Sequence, residues 1–194
     1  MASYDVPFGV AVDFATGMME EPDRVIVRRA SDLRGYYADV KALEELIASG
    51  DPVHYRVFEK AIPEEEGHLL FCMSVLEPGR IGDEFFFTKG HYHTVANTAE
   101  TYLCVRGRGI LLLKTTDDQW AAESMEVGRM VYAPPFWAHR SINTGSEPLI
   151  SFCVYPAHAG HNYGDIQTEG FPKRVVNSAL GPSIVDNLGT TQGG

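Results

Sequence analysis

The sequence contains no apolar run that approaches the roughly 20 residues needed to span a bilayer. Its N-terminus, MASYDVPFGVAVD, has neither a basic start nor a continuous apolar segment, which argues against a secretory signal peptide. Positive charge is also scarce, since 16 Lys and Arg stand against 26 Asp and Glu and give a formal net charge of -10. Without clustered Lys and Arg, a nucleic-acid partner is not expected. A small phosphate ester is not excluded, because a few local donors can bind one phosphate.

Cysteine is sparse as well. The three cysteines, Cys72, Cys104 and Cys153, are odd in number, far apart, and each embedded in an apolar run (LLFCMSV, TYLCVRG and ISFCVYP). This pattern is typical of buried strand thiols in a reducing compartment and not of a disulfide framework. We therefore expect a cytoplasmic protein.

Helical periodicity is confined to one segment near the start of the chain, so a single helix is predicted over roughly 35–48. Gly50 and Pro52 follow that segment and are typical of a helix end. Before it, the stretches VPFGVAVDF and RVIVRR suit edge strands. The apolar residues at helical spacing are Tyr37, Val40, Leu43, Leu46 and Ile47.

From residue 53 onward the sequence is rich in Val, Ile, Phe and Tyr, in short runs that turn residues separate. Regular short strands of this kind predict an all-β sandwich or barrel. A chain of 194 residues suits a single domain, which we predict over 1–180 with a barrel core at about 53–165. The small and polar residues 181–194 predict a flexible C-terminal tail.

Two histidines stand two positions apart, His91 and His93, in the run GHYH. In a strand, this spacing places both side chains on one face, where two imidazoles can chelate one cation. Glu100 opens the next strand-like run after the short polar connection TVANTA. A hairpin there would bring its carboxylate beside the imidazoles and give three ligands from two adjacent strands. A pair of histidines at this spacing is weak evidence of a metal site by itself.

A second segment strengthens the metal interpretation, because the two together resemble the paired motifs of the cupin superfamily. The second segment departs from its motif only at Phe136, where the motif has Gly. The first has a longer gap before Glu100 than is usual and lacks the preceding Gly. The resemblance implies that His139 joins His91, His93 and Glu100 as a metal ligand. The segments read His91-x-His93-x6-Glu100-x6-Gly107 and Gly128-x5-Pro134-x4-His139-x3-Asn143.

These departures point to a narrower family. The strings GDEFFFTKGHYH, AETYLCVRGRG, VYAPPFWAHRSIN and VYPAHAGHNYG, together with PFGVAVDFATG and DPVHY, resemble archaeal-type glucose-6-phosphate isomerase. The resemblance implies an all-β cupin fold, a small antiparallel jelly-roll barrel with the N-terminal strands and one helix outside it. It also implies a homodimer that interconverts glucose 6-phosphate and fructose 6-phosphate in glycolysis and gluconeogenesis.

Three imidazoles and one carboxylate suit one divalent metal per subunit, Fe²⁺, Mn²⁺, Ni²⁺, Co²⁺ or Zn²⁺, and the resemblance implies Fe²⁺. No cysteine lies in either motif, so a closed structural zinc site is not indicated. Glu100 is the candidate base that moves a proton between C1 and C2. A carboxylate bound to a cation has lowered basicity, however, so a metal-assisted hydride shift stays open as the competing mechanism.

The resemblance also assigns the contacts to the sugar phosphate. Lys89 adds the nearest positive charge, although strand alternation is expected to point it outward. Phe136 stands where the family has Tyr, so one hydroxyl contact to substrate is expected to be missing. The implied phosphate contacts are Tyr55, Ser74, Thr88 and Gly90, the implied sugar contact is Tyr102, and Tyr155 and His161 line the sugar pocket and join Glu100 as catalytic candidates.

Two functions of other kinds use the same four ligands. One is a cupin dioxygenase with iron or manganese, and the other is a metal-dependent sugar-binding cupin without turnover. A binding protein needs Glu100 only as a ligand, whereas an isomerase that uses it as a base loses turnover in Glu100→Gln. The choice between glucose 6-phosphate and mannose 6-phosphate does not follow from the sequence.

Overall fold

Antiparallel strands dominate the computed structural model, which describes Tyr4 and residues 6–187. Two α-helices, α1 (Val40–Ala48) and α2 (Gly164–Glu169), and two short 3-10 turns accompany the strands. None of the described helices is long and apolar enough to cross a membrane. The strands are β1 (Val12–Asp13), β2 (Met18–Met19), β3 (Arg24–Arg29), β4 (Val53–Glu59), β5 (Leu69–Leu76), β6 (Arg80–Ile81), β7 (Glu84–Phe85), β8 (Glu100–Arg106), β9 (Arg108–Lys114), β10 (Trp120–Glu126), β11 (Met130–Ala133), β12 (Ala138–Asn143), β13 (Leu149–Pro156), β14 (Lys173–Ser178) and β15 (Gly181–Asp186).

The barrel is built from a six-stranded sheet, in the order β11-β8-β13-β5-β4-β3, and a three-stranded sheet, β10-β9-β12. A four-stranded sheet, β15-β14-β7-β6, and the pair β1-β2 complete the fold. The chain passes from β8 to β9 through Gly107 alone, where φ is 77° and a Cβ would lie 2.5 Å from the Pro148 carbonyl oxygen. Buried side chains of both sheets form one hydrophobic cluster. The prediction of an all-β antiparallel fold is confirmed.

Alternating burial along the central strands decides which side chains face the interior. In β8, Glu100, Tyr102 and Cys104 are buried, while the residues between them are partly exposed. Cys72 on β5 and Cys153 on β13 are buried too, and all three cysteines are free thiols on strands, as predicted. The same alternation points the Glu100 carboxylate inward, where an unpaired charge is costly, and so marks a functional position.

The predicted helix is shorter than the sequence indicates. It begins at Val40 and not near 35, because Gly35 adopts a φ of 84° and the Asp39 carboxylate caps the helix by accepting the Ala42 N–H at 2.9 Å. The chain also contains the short helix α2, which periodicity did not predict because only Ile166 of its six residues is buried.

The predicted C-terminal tail was wrong over its first six residues. Gly181–Asp186 forms β15, which pairs along its full length with β14. A two-residue turn joins the strands, and the Ser178 hydroxyl stabilises it by donating to the Gly181 carbonyl oxygen at 2.8 Å and accepting the Leu180 N–H at 3.2 Å. The rest of the predicted tail, beyond residue 187, lies outside the described residues.

Phe136, the departure from the second cupin motif, adopts the left-handed conformation that glycine favours. Its φ is 70°, its side chain is 60% exposed, and its N–H donates to the Ala96 carbonyl oxygen at 2.7 Å. A side chain in this conformation costs roughly 1–2 kcal/mol, because Cβ crowds the carbonyl oxygen. The motif's usual glycine therefore has a steric reason.

We predict that Phe136→Gly unfolds at a free energy about 1 kcal/mol higher than Phe136→Ala. Both substitutions remove the same exposed ring, but only glycine removes the strain at positive φ. Urea denaturation of the two variants measures the difference. Equal stability would show that the turn is not strained.

Candidate metal centre

The four predicted metal ligands converge in the interior. One ligand atom from each of His91, His93, Glu100 and His139 lies within 4.8 Å of every other. The Glu100 Oε2 atom lies 3.2 Å from the His93 Nε2 atom and 3.0 Å from the His139 Nε2 atom. Within the described part of the chain, this is the one group of three or more His, Cys, Asp and Glu side chains that could hold an ion.

The ligands come from both sheets of the barrel, and the predicted hairpin between His93 and Glu100 was wrong. His91 instead pairs with His139 on β12 through two backbone hydrogen bonds of 3.2 and 3.3 Å, and Tyr92 pairs with Asn162. Glu100 begins β8 in the six-stranded sheet. The connection after His93 forms turns and no ladder with β8, so the carboxylate reaches the imidazoles from the opposite sheet.

Backbone and hydroxyl acceptors orient two of the imidazoles. The His93 Nδ1 atom lies 2.8 Å from the Thr98 hydroxyl oxygen, which itself donates to the Val95 carbonyl oxygen and therefore accepts from the imidazole. The His139 Nδ1 atom lies 3.2 Å from the Trp137 carbonyl oxygen. With the protons on Nδ1, both Nε2 atoms present lone pairs to the centre of the group.

Buried lone pairs in this group lack partners. Within the described residues, neither the His91 Nε2 atom nor the His139 Nε2 atom makes a hydrogen bond, and both are buried. The Glu100 carboxylate also faces Nε2 atoms that carry no proton, so acceptors oppose one another. Such an arrangement is costly unless a cation lies between the acceptors.

Protons on the imidazoles would offset the Glu100 charge in the same way that a cation would. Burial, followed by the neighbouring His139 and His161 imidazoles, holds the pKa of His91 well below its usual range. Burial alone would raise the pKa of Glu100, but the His139 and His93 imidazoles outweigh it and lower that pKa. The group at neutral pH therefore contains an ionised carboxylate and a neutral His91.

These residues fit a divalent cation of borderline hardness. Three imidazole nitrogens and one carboxylate are the donors that such ions accept. A cation among them would satisfy the orphaned nitrogens of His91 and His139 and separate the opposed acceptors. No cysteine belongs to the group, in contrast to most structural zinc sites.

A cavity opens beside the group. Every substrate residue named from the sequence lines it, and Tyr102 shares the face of Glu100, as its spacing predicted. Phe136 is not among the lining residues, so the phenyl ring in place of a phenol does not remove a hydroxyl from the cavity wall. The predicted residues that the cavity brings together are Tyr55, Ser74, Thr88, Gly90, Tyr102, Tyr155 and His161.

Three basic side chains line the cavity wall, and the sequence did not predict any of them there. Arg24 and Arg28 reach it from β3, and Lys89 lines it too, although alternation predicted an outward side chain. Residues 89–93 do not form a regular strand, which is why alternation failed there. In RVIVRR, Arg24, Ile26 and Arg28 share one strand face and all three line the cavity, but the sequence does not reveal that β3 lies beside β4 at the edge of this cavity.

Arg140 holds the segment that leads to His91. Its guanidinium lies between the rings of Phe87 and Phe171, 4.1 and 4.5 Å from their centroids, and donates twice to the Lys89 carbonyl oxygen, at 3.2 and 2.7 Å. Burial lowers the pKa of Arg140 to about 10, so it stays a cation at neutral pH. Because a trans peptide aims C=O and N–H in opposite directions, the Gly90 N–H points away from Arg140.

Comparison with known proteins shows the family to which the chain belongs. The family model for glucose-6-phosphate isomerase matches residues 27–181. The glucose-6-phosphate isomerase of Pyrococcus abyssi is 47% identical over 184 residues, which cover 95% of this chain and 97% of that protein. The enzyme of that name from Thermococcus gammatolerans is 48% identical, with 95% and 96% covered. A putative glucose-6-phosphate isomerase 2 of Rhizobium meliloti is 38% identical over 167 residues, with 86% and 84% covered.

Solved structures give a more distant likeness. Oxalate decarboxylase from Lactobacillus farciminis is 18% identical with a TM-score of 0.45, over 56% of this chain and 30% of that one. Oxalate decarboxylase from Bacillus subtilis is 18% identical with a TM-score of 0.42, over 53% and 26%. The sequence relatives, similar along nearly the whole chain, and the family model that spans most of it decide the assignment: the chain belongs to the glucose-6-phosphate isomerase family.

Proposed function

We propose that this chain interconverts glucose 6-phosphate and fructose 6-phosphate as a metal-dependent aldose–ketose isomerase of glycolysis and gluconeogenesis. One observation carries the proposal. In a member of this family, a buried group of three imidazoles and a carboxylate adjoins a cavity lined by hydroxyl and basic side chains. The three free thiols support the cytoplasm as its location.

His91, His93, Glu100 and His139 would hold one divalent metal, for which we propose Fe²⁺, with Mn²⁺, Ni²⁺, Co²⁺ or Zn²⁺ able to replace it. The metal would supply polarisation of the substrate oxygens at C1 and C2. The orphaned lone pairs on His91 and His139 support this assignment, because they have no other partner among the described residues.

The proton transfer between C1 and C2 is assigned to Glu100, with Tyr155 and His161 beside it. The His161 ring lies 4.5 Å from the His91 ring and 5.5 Å from the Tyr155 ring, between centroids. Burial lowers the pKa of His161, so a neutral imidazole is available to exchange protons with substrate oxygens. The lowered pKa of Glu100 weakens it as a base and keeps the hydride shift as the second candidate mechanism.

The phosphate is assigned to Tyr55, Ser74, Thr88 and the Gly90 N–H. The Thr88 hydroxyl oxygen accepts the Ser141 N–H at 3.1 Å, which leaves its proton free to donate. Arg28 and Lys89 line the same cavity and add positive charge. For the sugar, burial and the Glu100 charge hold the pKa of Tyr102 well above its usual range, so its hydroxyl stays a donor.

A homodimer completes the proposal. Strand β3 lies at the edge of the six-stranded sheet, with Val25 and Val27 exposed at 46% and 39%. An apolar edge strand of this kind is usually covered. Sedimentation at twice the 21.4 kDa chain mass would support the dimer, and sedimentation at that mass would contradict it.

We predict that EDTA abolishes fructose 6-phosphate isomerisation and that added Fe²⁺, Mn²⁺, Ni²⁺, Co²⁺ or Zn²⁺ restores it. Bound metal at about 100 times its Kd also stabilises the fold by about 2.7 kcal/mol, so the melting temperature should fall on chelation. His139→Ala should lose metal and activity, and His68→Ala, outside the group, should keep both. A protein that binds metal yet is inactive with every ion would overturn the isomerase proposal in favour of a dioxygenase or a sugar-binding cupin.

Glu100→Gln, which keeps an oxygen ligand, should lower kcat at least about 100-fold while retaining metal, because it removes the base. The wild-type enzyme in D₂O should then place deuterium on the carbon that receives the proton, C1 or C2. Unlabelled product throughout the reaction, together with a wild-type kcat in metal-bound Glu100→Gln, would instead support the hydride shift and leave Glu100 as a ligand alone.

Arg28→Met should raise the KM for fructose 6-phosphate tenfold or more with little change in kcat, since a hydrogen bond to a charged group contributes about 1.5–3 kcal/mol. Arg56→Met is the matched control, because Arg56 lies outside the cavity lining and contacts Glu77 at 2.7 Å. The same KM in both variants would remove Arg28 from the phosphate site.

A further inference from the structure

Two thiols meet on the floor of the cavity. Cys72 on β5 and Cys153 on β13 are directly opposite in the antiparallel register, and both line the cavity. Neither belongs to the histidine group or to the residues assigned to the sugar phosphate. Both are buried, at 6% and 2% exposure, so small species reach them only through the cavity.

The register fixes how far apart the two cysteines are. The Ala157 N–H donates to the His68 carbonyl oxygen at 3.0 Å, in the same register of β13 against β5. In an antiparallel ladder, hydrogen-bonded and non-hydrogen-bonded pairs alternate, so the pair two steps of two residues away, Cys72 and Cys153, is also a hydrogen-bonded pair. The Cα atoms of such a pair lie about 5.5 Å apart, and the two side chains are parallel. Two metal–sulfur bonds of about 2.3 Å span nearly 4 Å between sulfurs, whereas a disulfide of about 2.05 Å requires a closer approach. This spacing accommodates a bridging atom, and it also lies within the Cα range of a disulfide.

The surroundings add donors and negative charge. Glu59 on β4 is opposite Cys72, and Tyr102 on β8 is opposite Cys153, so the four side chains form one row across the sheet. Glu59 is buried and faces the same cavity, where Arg24 Nη1 lies 3.4 Å from its carboxylate. Burial and the neighbouring Cys72 thiol hold the pKa of Cys153 well above its usual range, so Cys153 stays a thiol while no cation is bound.

We propose that Cys72 and Cys153 form a second metal site, which binds a soft, thiophilic divalent cation between two sulfurs. Binding replaces two S–H bonds with two metal–sulfur bonds and releases two protons to solvent, with no change of oxidation state. Soft thiolate ligands select cations that the imidazole and carboxylate group does not prefer. The bound cation lies beside Ser74 and Tyr102, so it competes with the sugar phosphate for the cavity.

Cadmium is the probe, added to the full-length protein that already holds its catalytic metal. Thiolate-to-cadmium charge-transfer absorption reports sulfur ligands alone, and cadmium per chain after desalting reports the number of sites. We expect one cadmium with this absorption, two protons released, and loss of isomerase activity that excess fructose 6-phosphate prevents. Cys72→Ser and Cys153→Ser should each abolish the absorption and reduce cadmium inhibition at least tenfold.

The controls separate this site from the other cysteine and from the histidine group. Cys104→Ser should keep the absorption, because Cys104 does not line the cavity and its thiol donates to the Arg106 carbonyl oxygen at 3.5 Å. His139→Ala should also keep it, even though the catalytic metal is lost. Cadmium bound without sulfur absorption, or absorption that survives Cys72→Ser in a variant with wild-type circular dichroism, would overturn the proposal.

Discussion

Buried lone pairs that face one another are the constraint on which the rest of this structure depends. Three imidazoles and a carboxylate point at a common centre inside a β-barrel, and the His91 and His139 nitrogens have no other partner in the described part of the chain. Unpaired acceptors at such depth oppose folding. The surrounding contacts, from the Thr98 hydroxyl to the Trp137 carbonyl, hold these atoms in place all the same. The fold thus maintains a local cost that a cation among these atoms would relieve.

The two ends of the cavity are shaped by one strand. On β12, His139 points its imidazole at the other predicted metal ligands. The next residue, Arg140, donates to the Lys89 carbonyl oxygen and so orients the peptide before Gly90. Gly90 itself has a φ of 75°, and a Cβ there would lie 3.1 Å from the His139 carbonyl oxygen. The backbone therefore fixes the position of the proposed phosphate site relative to the four predicted metal ligands, and flexible side chains contribute little to it.

The sequence predicted which side chains converge and which line the cavity better than it predicted the path of the chain between them. Motif spacing identified His91, His93 and Glu100, but local spacing cannot tell which strand a segment pairs with, so a hairpin was expected where His91 pairs with His139. Arg28 was missed for the same reason, since its place beside the cavity depends on the pairing of β3 with β4. The start of α1 was misjudged because one capping carboxylate, on Asp39, outweighed the periodicity before it.

The pairing of His91 with His139 also has a consequence for the order in which the protein assembles. His91 is fixed by hydrogen bonds to a residue made much later in synthesis, and β12 in turn needs β9 as its neighbour. A nascent chain that ends before residue 139 carries His91, His93 and Glu100 but has no strand to set the first of them. A metal held by these four residues would therefore be captured late in synthesis, after β12 has been made.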